Sequence, residues 1–178
     1  MRIISGKLKG KRFFPGKGFK DRPTTDFARE NLFNIIDNYF DIESVKVLDL
    51  FSGTGGVSFE FASRGSSFVE LVEINSKYVS FIEKTAEKFE LDQIIANRGD
   101  AFVFLRNTPY TYDIIFADPP HFMEGMEELP RLVFEREILN HRGWLILEHG
   151  KRDDFSSHHH FRELRRYGSV HFSIFEKP

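Results

Sequence analysis

The sequence predicts an α/β fold: a mostly parallel sheet with helices on both faces, ending in an antiparallel hairpin. Three observations carry this. The apolar runs VKVLDL (45–50), FVELVE (68–73), DIIFA (113–117) and WLILE (144–148) alternate with stretches of helical period. These runs are nearly continuous in apolar residues, the pattern of strands covered on both sides. The tail FRELRRYGSVHFSIFE sets two runs about Tyr167-Gly168, a turn that makes its neighbours antiparallel.

Taken in order, the first helix begins at Pro23 with Thr24 or Thr25 as its cap. Ala28, Leu32, Ile35, Ile36 and Tyr39 give it one apolar face over about four turns. A strand at 45–50 runs into a glycine loop and a helix over 55–64. Strand 68–73, helix 76–90 and a short strand 94–97 follow, then a short helix 101–106 and strand 113–117. A loop through Pro119 and Pro120 leads to a helix over 127–140 and a strand at 144–148. There are no internal repeats, low-complexity tracts or linkers.

Composition narrows the function. A chain of 178 residues with 40% hydrophobic and 29% charged residues suits one folded domain and excludes a disordered one. The absence of Cys excludes disulfides, thiolate metal sites and cysteine nucleophiles. No apolar run approaches the roughly 20 residues of a membrane span. MRIISGKLKGKRFF lacks a signal-peptide core, so a cytoplasmic protein without membrane contact is expected. Residues 1–20 carry seven Lys or Arg and no acid; of the chain's 25 basic and 27 acidic residues, that leaves 18 against 27 for the remainder. Such segregation points to a basic arm, residues 1–24, that meets a polyanion, followed by one domain over 25–178. The other reading is a solvated tail. Ile3, Ile4, Leu8, Phe13 and Phe14 interleave with the charges and favour an ordered hairpin, with Gly6 and Gly10 as turns.

The first chemical signal is VLDLFSGTGG, a strand running into a loop where Gly53, Gly55 and Gly56 let the backbone approach a ligand before a helix begins. Glu73 stands at the end of the next strand, where a carboxylate accepts the two hydroxyls of an adenosine ribose. The dinucleotide pattern G-x-G-x-x-G is absent, and Asp49 at the mouth of the loop repels a pyrophosphate but suits an ammonium or sulfonium. S-adenosylmethionine is therefore expected rather than NAD. Phe51 and Ile74 are placed with the cofactor contacts, as are Asp100 and Ala101 after the third strand, where a carboxylate meets an adenine amino group. Alone, Asp100 reads as a helix cap.

The second signal is Asp118-Pro119-Pro120-His121, following an apolar strand. Pro-Pro alone is a loop stiffener. In a catalytic reading the prolines fix the chain while Asp118 and the Pro119 carbonyl accept from an exocyclic amino group, and His121 stacks on the base. An aryl amine lone pair is delocalised into its ring; two aligned acceptors favour the pyramidal nitrogen that attacks a methyl group. One carboxylate accepts the adjacent ring N–H and amino group of guanine, whereas adenine offers a donor beside an acceptor, which favours guanine.

Together RIISGKLKGKRF, RPTTDFARENLFNII, VLDLFSGTGG, VELVEIN, DPPH and RRYGSVHFSIF resemble the RsmD-type guanine-N2 methyltransferases of bacterial small-subunit rRNA, over nearly the whole chain. The resemblance implies a Rossmann-like class I methyltransferase with seven strands. It also implies S-adenosylmethionine as donor, S-adenosylhomocysteine as product, and a guanine of 16S rRNA near the P site in an assembling small subunit. It carries roles to Asp49 and the Gly53–Gly55 loop for the methionine part, Glu73 for ribose, Asp100 and Ala101 for adenine, and Asp118, Pro119, Pro120 and His121 for the target base. Many relatives have Tyr or Phe where this chain has His121, a smaller platform that protonation makes cationic.

Under that reading Arg2, Lys7, Lys9, Lys11, Arg12 and Lys17 contact phosphates without reading sequence, and Arg22 and Arg29 hold the phosphate of a flipped nucleotide. For Arg29, beside Glu30 on a helix, a surface salt bridge is the alternative. His158-His159-His160 reads as a solvated loop and the 21 Phe mostly as core. Glu148-His149 either lines the pocket or forms a surface pair. The expected protein is monomeric and needs no metal. Competing functions on the same fold are adenine-N6 or protein-glutamine methylation and a non-catalytic RNA-binding assembly factor.

Overall fold

The computed structural model describes residues 1–16, 25–121 and 123–178. Among these residues the order is α1 (Asp26–Ile36), β1 (Lys46–Leu50), α2 (Gly56–Ser63), β2 (Phe68–Glu73), α3 (Ser76–Lys88), β3 (Ile94–Arg98), α4 (Ala101–Asn107), β4 (Tyr112–Ala117), α5 (Glu128–Glu135), β5 (Leu139–His149), β6 (Phe161–Tyr167) and β7 (Val170–Glu176). The seven strands form one sheet in the order β3-β2-β1-β4-β5-β7-β6, in which β7 runs antiparallel to the other six. The chain winds outward from β1 in one direction and then returns to β4 on the other side. That reversal opens a crevice at the carboxyl ends of β1 and β4.

The continuous apolar strands have the two-sided cover their composition predicts. Val47, Val69, Ile114, Phe116 and Ile146 face α1, α2 and α3, where Leu32, Phe33, Phe59, Phe61 and Ile82 complete one core. Leu48, Leu50, Ile115, Leu145 and Leu147 face α4 and α5, packing on Leu105, Leu129 and Val133. Successive strand residues thus serve opposite layers. No helix among the described residues is long and apolar enough to cross a membrane.

Two element boundaries differ from the sequence reading. Thr25 is the cap of α1, accepting from the Ala28 N–H at 3.2 Å, but the helix closes at Ile36 and does not reach Tyr39. Tyr39 instead packs on Trp144, with ring centroids 4.9 Å apart. Pro23 and Thr24 lie outside the described residues. The helix expected over 127–140 ends at Glu135, because Glu137 adopts a φ of 53° and turns the chain; Leu139 then already pairs with Tyr112 in β5.

The basic N-terminal segment is a docked hairpin. The Ile3 N–H donates to the Lys11 carbonyl and the Gly10 N–H to that of Ile3, each at 2.9 Å. Ile3 and Phe13 are buried in the same core as Phe59. Removing two such side chains from water is worth roughly 3–6 kcal/mol, enough to hold a short segment in place. The Glu60 carboxylate, fully buried, accepts from the N–H groups of Ile4 and Ser5 at 2.8 and 3.0 Å and from Arg64 Nε at 2.9 Å. Gly6 lies so close to α2 that a Cβ there would sit 1.9 Å from the Ser63 carbonyl oxygen, and its φ is 79°.

Candidate active site

The loop after β1 must turn from strand to helix within five residues, and the chain makes the turn with three left-handed residues: Phe51 at φ 59°, Gly53 at 52° and Gly55 at 77°. Only Phe51 incurs a steric cost, of the order of 1–3 kcal/mol, the kind of local strain that collects at functional sites. A Cβ on Gly53 would meet nothing within 4 Å, so this part of the loop faces open space. The result is a cavity of about 780 Å³ at the carboxyl edge of the sheet.

Asp49 forms part of its wall while only 1% exposed. Its Oδ2 accepts from the Ser58 N–H at 3.2 Å and the Ser58 hydroxyl at 2.5 Å. Burial pushes the Asp49 carboxyl up to about 7; the Ser58 bonds act against that rise and the Glu73 charge adds to it. Glu73 holds the loop from the other side, accepting from the Gly53 N–H at 2.9 Å and the Asn75 N–H at 2.8 Å. A carboxylate has about four acceptor positions, so backbone donors and ligand hydroxyls can share it. Asp100 does cap α4, accepting from the Val103 N–H at 2.9 Å, and it lines the cavity as well.

The target-side motif follows β4. The Asp118 N–H donates to the Leu50 carbonyl at 3.3 Å, which ties the ends of β4 and β1. Pro119 is buried, Pro120 and His121 are exposed, and the Pro120 carbonyl accepts from the Met123 N–H at 2.8 Å in a tight turn. Asp49, Phe51, Gly53, Glu73, Ile74, Asp100, Ala101, Asp118, Pro119, Pro120 and His121 all line one cavity.

Gly55 departs from its expected role. It caps α2, and the space at its Cβ is taken by Ile82 and Phe59 at 3.1 Å; the neighbouring Gly56 faces the cavity instead. Arg29, expected to hold a phosphate or to form a surface ion pair, is buried and ion-paired with Asp26. It is 1% exposed, its Nη2 donates to the Arg2 carbonyl at 2.6 Å and to Asp26 at 2.8 Å, and it lines the cavity. Lys7, Lys9, Lys11 and Arg12 are exposed on the hairpin, and Arg2 pairs with Asp26 at 3.5 Å; none of the five lines the cavity. Lys17 and Arg22 lie outside the described residues.

Glu148 is buried and lines the cavity, while His149, on the other face of β5, contacts Ser173 Oγ and the Gly150 carbonyl at 2.8 Å each. Burial lowers the His149 pKa below the usual imidazole value. The solvated reading of the histidine run needs amendment at His160, whose ring stacks on Phe134 with centroids 4.0 Å apart. Among the described residues no cluster of three or more His, Cys, Asp or Glu is arranged to hold a metal. Ser52 and Tyr78, which line the cavity, and Ser58, which holds Asp49, were not legible as site residues. Ser58 and Tyr78 lie on the first turns of α2 and α3, where a helix-start pattern had them in reach.

A family model described as conserved hypothetical protein 95 matches residues 1–176. The chain belongs to this family of RsmD-type methyltransferases. An RsmD-type relative, the ribosomal RNA small subunit methyltransferase D of Buchnera aphidicola subsp. Baizongia pistaciae, is 33% identical over 149 residues, covering 83% of this chain and 75% of that protein. A hypothetical protein of Thermus thermophilus superposes with a TM-score of 0.87 at 23% identity, covering 99% of each chain. An RNA methyltransferase of Salinibacter ruber, solved with S-adenosyl-L-homocysteine, superposes with a TM-score of 0.70 at 16% identity over 88% of this chain and 94% of that one. These likenesses establish the class I methyltransferase fold for this RsmD-type chain.

Proposed function

We propose that the protein transfers a methyl group from S-adenosylmethionine to the exocyclic N2 of one guanine in 16S rRNA. In this reading the guanine lies near the P site of an assembling small subunit, and the enzyme works as a cytoplasmic monomer. Methyl transfer to ribosomal RNA is the activity that RsmD-type membership assigns, and the Buchnera relative carries it in its name. The observation that carries the finer reading is the meeting of two sets of residues in one cavity: Asp49 and Glu73 on the cofactor side, Asp118 to His121 on the other.

The cavity fits the cofactor on the chain's own terms. Asp49 suits an ammonium, Glu73 brings a carboxylate to the wall at the end of β2, and the buried Ser52 hydroxyl lining the cavity has no partner among the described residues. S-adenosylmethionine supplies an electrophilic methyl on a cationic sulfur. The protein supplies position and acceptors: Asp118 accepts from the guanine ring N–H and amino group, and the Pro119 carbonyl accepts the second amino hydrogen. The amino nitrogen would take the methyl as the carbon–sulfur bond breaks and S-adenosylhomocysteine leaves as the neutral thioether, and Asp118 is the acceptor for the proton the amine then loses. His121, exposed at the mouth, offers a ring for the flipped base. The hairpin lysines contribute affinity through phosphates.

The test is methyl transfer from labelled S-adenosylmethionine into small subunits from a strain lacking the gene, followed by nucleoside analysis. One site of N2-methylguanosine is expected. N6-methyladenosine would overturn the reading of Asp118, and absence of incorporation by a protein that binds the cofactor would favour an assembly factor.

A further inference from the structure

Arg29 is the largest charged side chain in the interior, and its place in the cavity wall is not explained by its structural bonds. Both hydrogen bonds that it makes among the described residues run through Nη2. Its Nε is buried without a hydrogen-bond partner, 4.0 Å from Glu60. Its Nη1 points the other way, toward the start of α2, where a Cβ built on Gly56 would lie 3.0 Å from it. Asp49, Gly53 and Gly56 line the same cavity.

We infer that Arg29 is the anchor for the carboxylate of the methionine end of S-adenosylmethionine, gripping it through Nη1 above Gly56. This rests on the adenosylmethionine reading of the cavity. The methionine end is a zwitterion, and the cavity wall holds both complements: Asp49 for the ammonium and Arg29 for the carboxylate. A guanidinium is more weakly hydrated than an ammonium and presents fixed donors to a carboxylate, which suits a site out of water. The start of α2 adds backbone N–H groups beside it, and Gly56 keeps that approach clear. An RNA phosphate fits less well. At 1% exposure the guanidinium is met from the cavity side, where a zwitterion brings an ammonium to Asp49 and a phosphate brings only negative charge.

The experiment is a cycle of two ligands against three proteins, read by calorimetry. The ligands are S-adenosylhomocysteine and its decarboxylated analogue; the proteins are the parent, Arg29→Gln and Gly56→Ala. The last leaves the Nη2 bonds of Arg29 in place and sets a methyl group against Nη1 and the Met1 thioether. In the parent protein, losing the carboxylate should weaken binding about ten- to a hundredfold. In both variants S-adenosylhomocysteine should fall toward the affinity of the analogue, so that the advantage the carboxylate gives in the parent is lost.

Two results overturn the inference. One is a parent protein indifferent to the carboxylate. The other is a Gly56→Ala protein, folded by thermal melting, that weakens both ligands equally. A parent protein that binds neither ligand defeats the cofactor reading itself and is distinguishable from both.

Discussion

The Glu73 carboxylate and the Gly53 N–H are joined at 2.9 Å across twenty residues of chain, so the group read as the ribose acceptor also holds the loop that the cofactor meets. Binding and loop shape are therefore not separable at this residue. Glu73→Ala should weaken S-adenosylhomocysteine about ten- to a hundredfold by calorimetry. Unchanged affinity would mean that the ribose is held elsewhere.

Asp118 belongs to the opposite wall, and its loss should separate chemistry from binding. Asp118→Ala is expected to slow methyl transfer by about a hundredfold or more while cofactor affinity stays within about threefold. Equal loss of both, measured by single-turnover transfer and calorimetry, would make Asp118 a cofactor residue.

Binding should release a proton at Asp49. In the unliganded protein burial raises this carboxyl to about 7, so near pH 6 it is mostly protonated. A bound ammonium favours the ionised form and lowers that value. Cofactor affinity should therefore rise with pH from about 6 and level off above the value near 7. Calorimetry at pH ~6 in two buffers of different ionisation enthalpy should show up to about one proton released, and Asp49→Asn should abolish it. A release that survives the substitution would place the titrating group elsewhere.

The exposed hairpin lysines should act through charge alone. Replacing Lys7, Lys9 and Lys11 by Gln should weaken rRNA binding and reduce the salt slope, log affinity against log salt, by about 2–3, with stability unchanged within about 0.5 kcal/mol. An unaltered slope in filter-binding titrations would remove the hairpin from the interface.

Gly6 is where the hairpin touches α2, and the position has no room for a side chain. Gly6→Ala should destabilise the fold by about 2 kcal/mol or more, seen as a lower Tm, because both φ and the Ser63 carbonyl oppose a Cβ. A Tm equal to that of the parent would show that the hairpin is not docked through this contact.

The alternation of apolar runs made the sheet and most helices legible, since Val47 and Leu48 could each be assigned a covered face from pattern alone. The cavity wall was legible where chemistry and chain position coincide: a carboxylate at the end of a strand, a glycine before a helix. Boundaries set by a single residue were not. The turn at Glu137 has no helix breaker to announce it, so the helical pattern extends to 140. The burial of Arg29 was not legible for a related reason. Periodicity around it marks α1, but the Arg2 carbonyl that turns its guanidinium inward comes from 27 residues away. Gly55 and Gly56 look interchangeable in a string of letters; the packing of Ile82 and Phe59 decides which one faces the ligand.

The place of β7 between β5 and β6 has a consequence for how the sheet closes. Both partners of β7 precede it in the chain, and among the described residues β6 has no other neighbour in the sheet. The edge of β5 therefore stays unpaired until residues 170–176 dock on it. A chain lacking them would present the backbone of Leu145, Ile146 and Leu147 as an open edge for pairing with another chain. Docking of β7 is the event that closes the sheet.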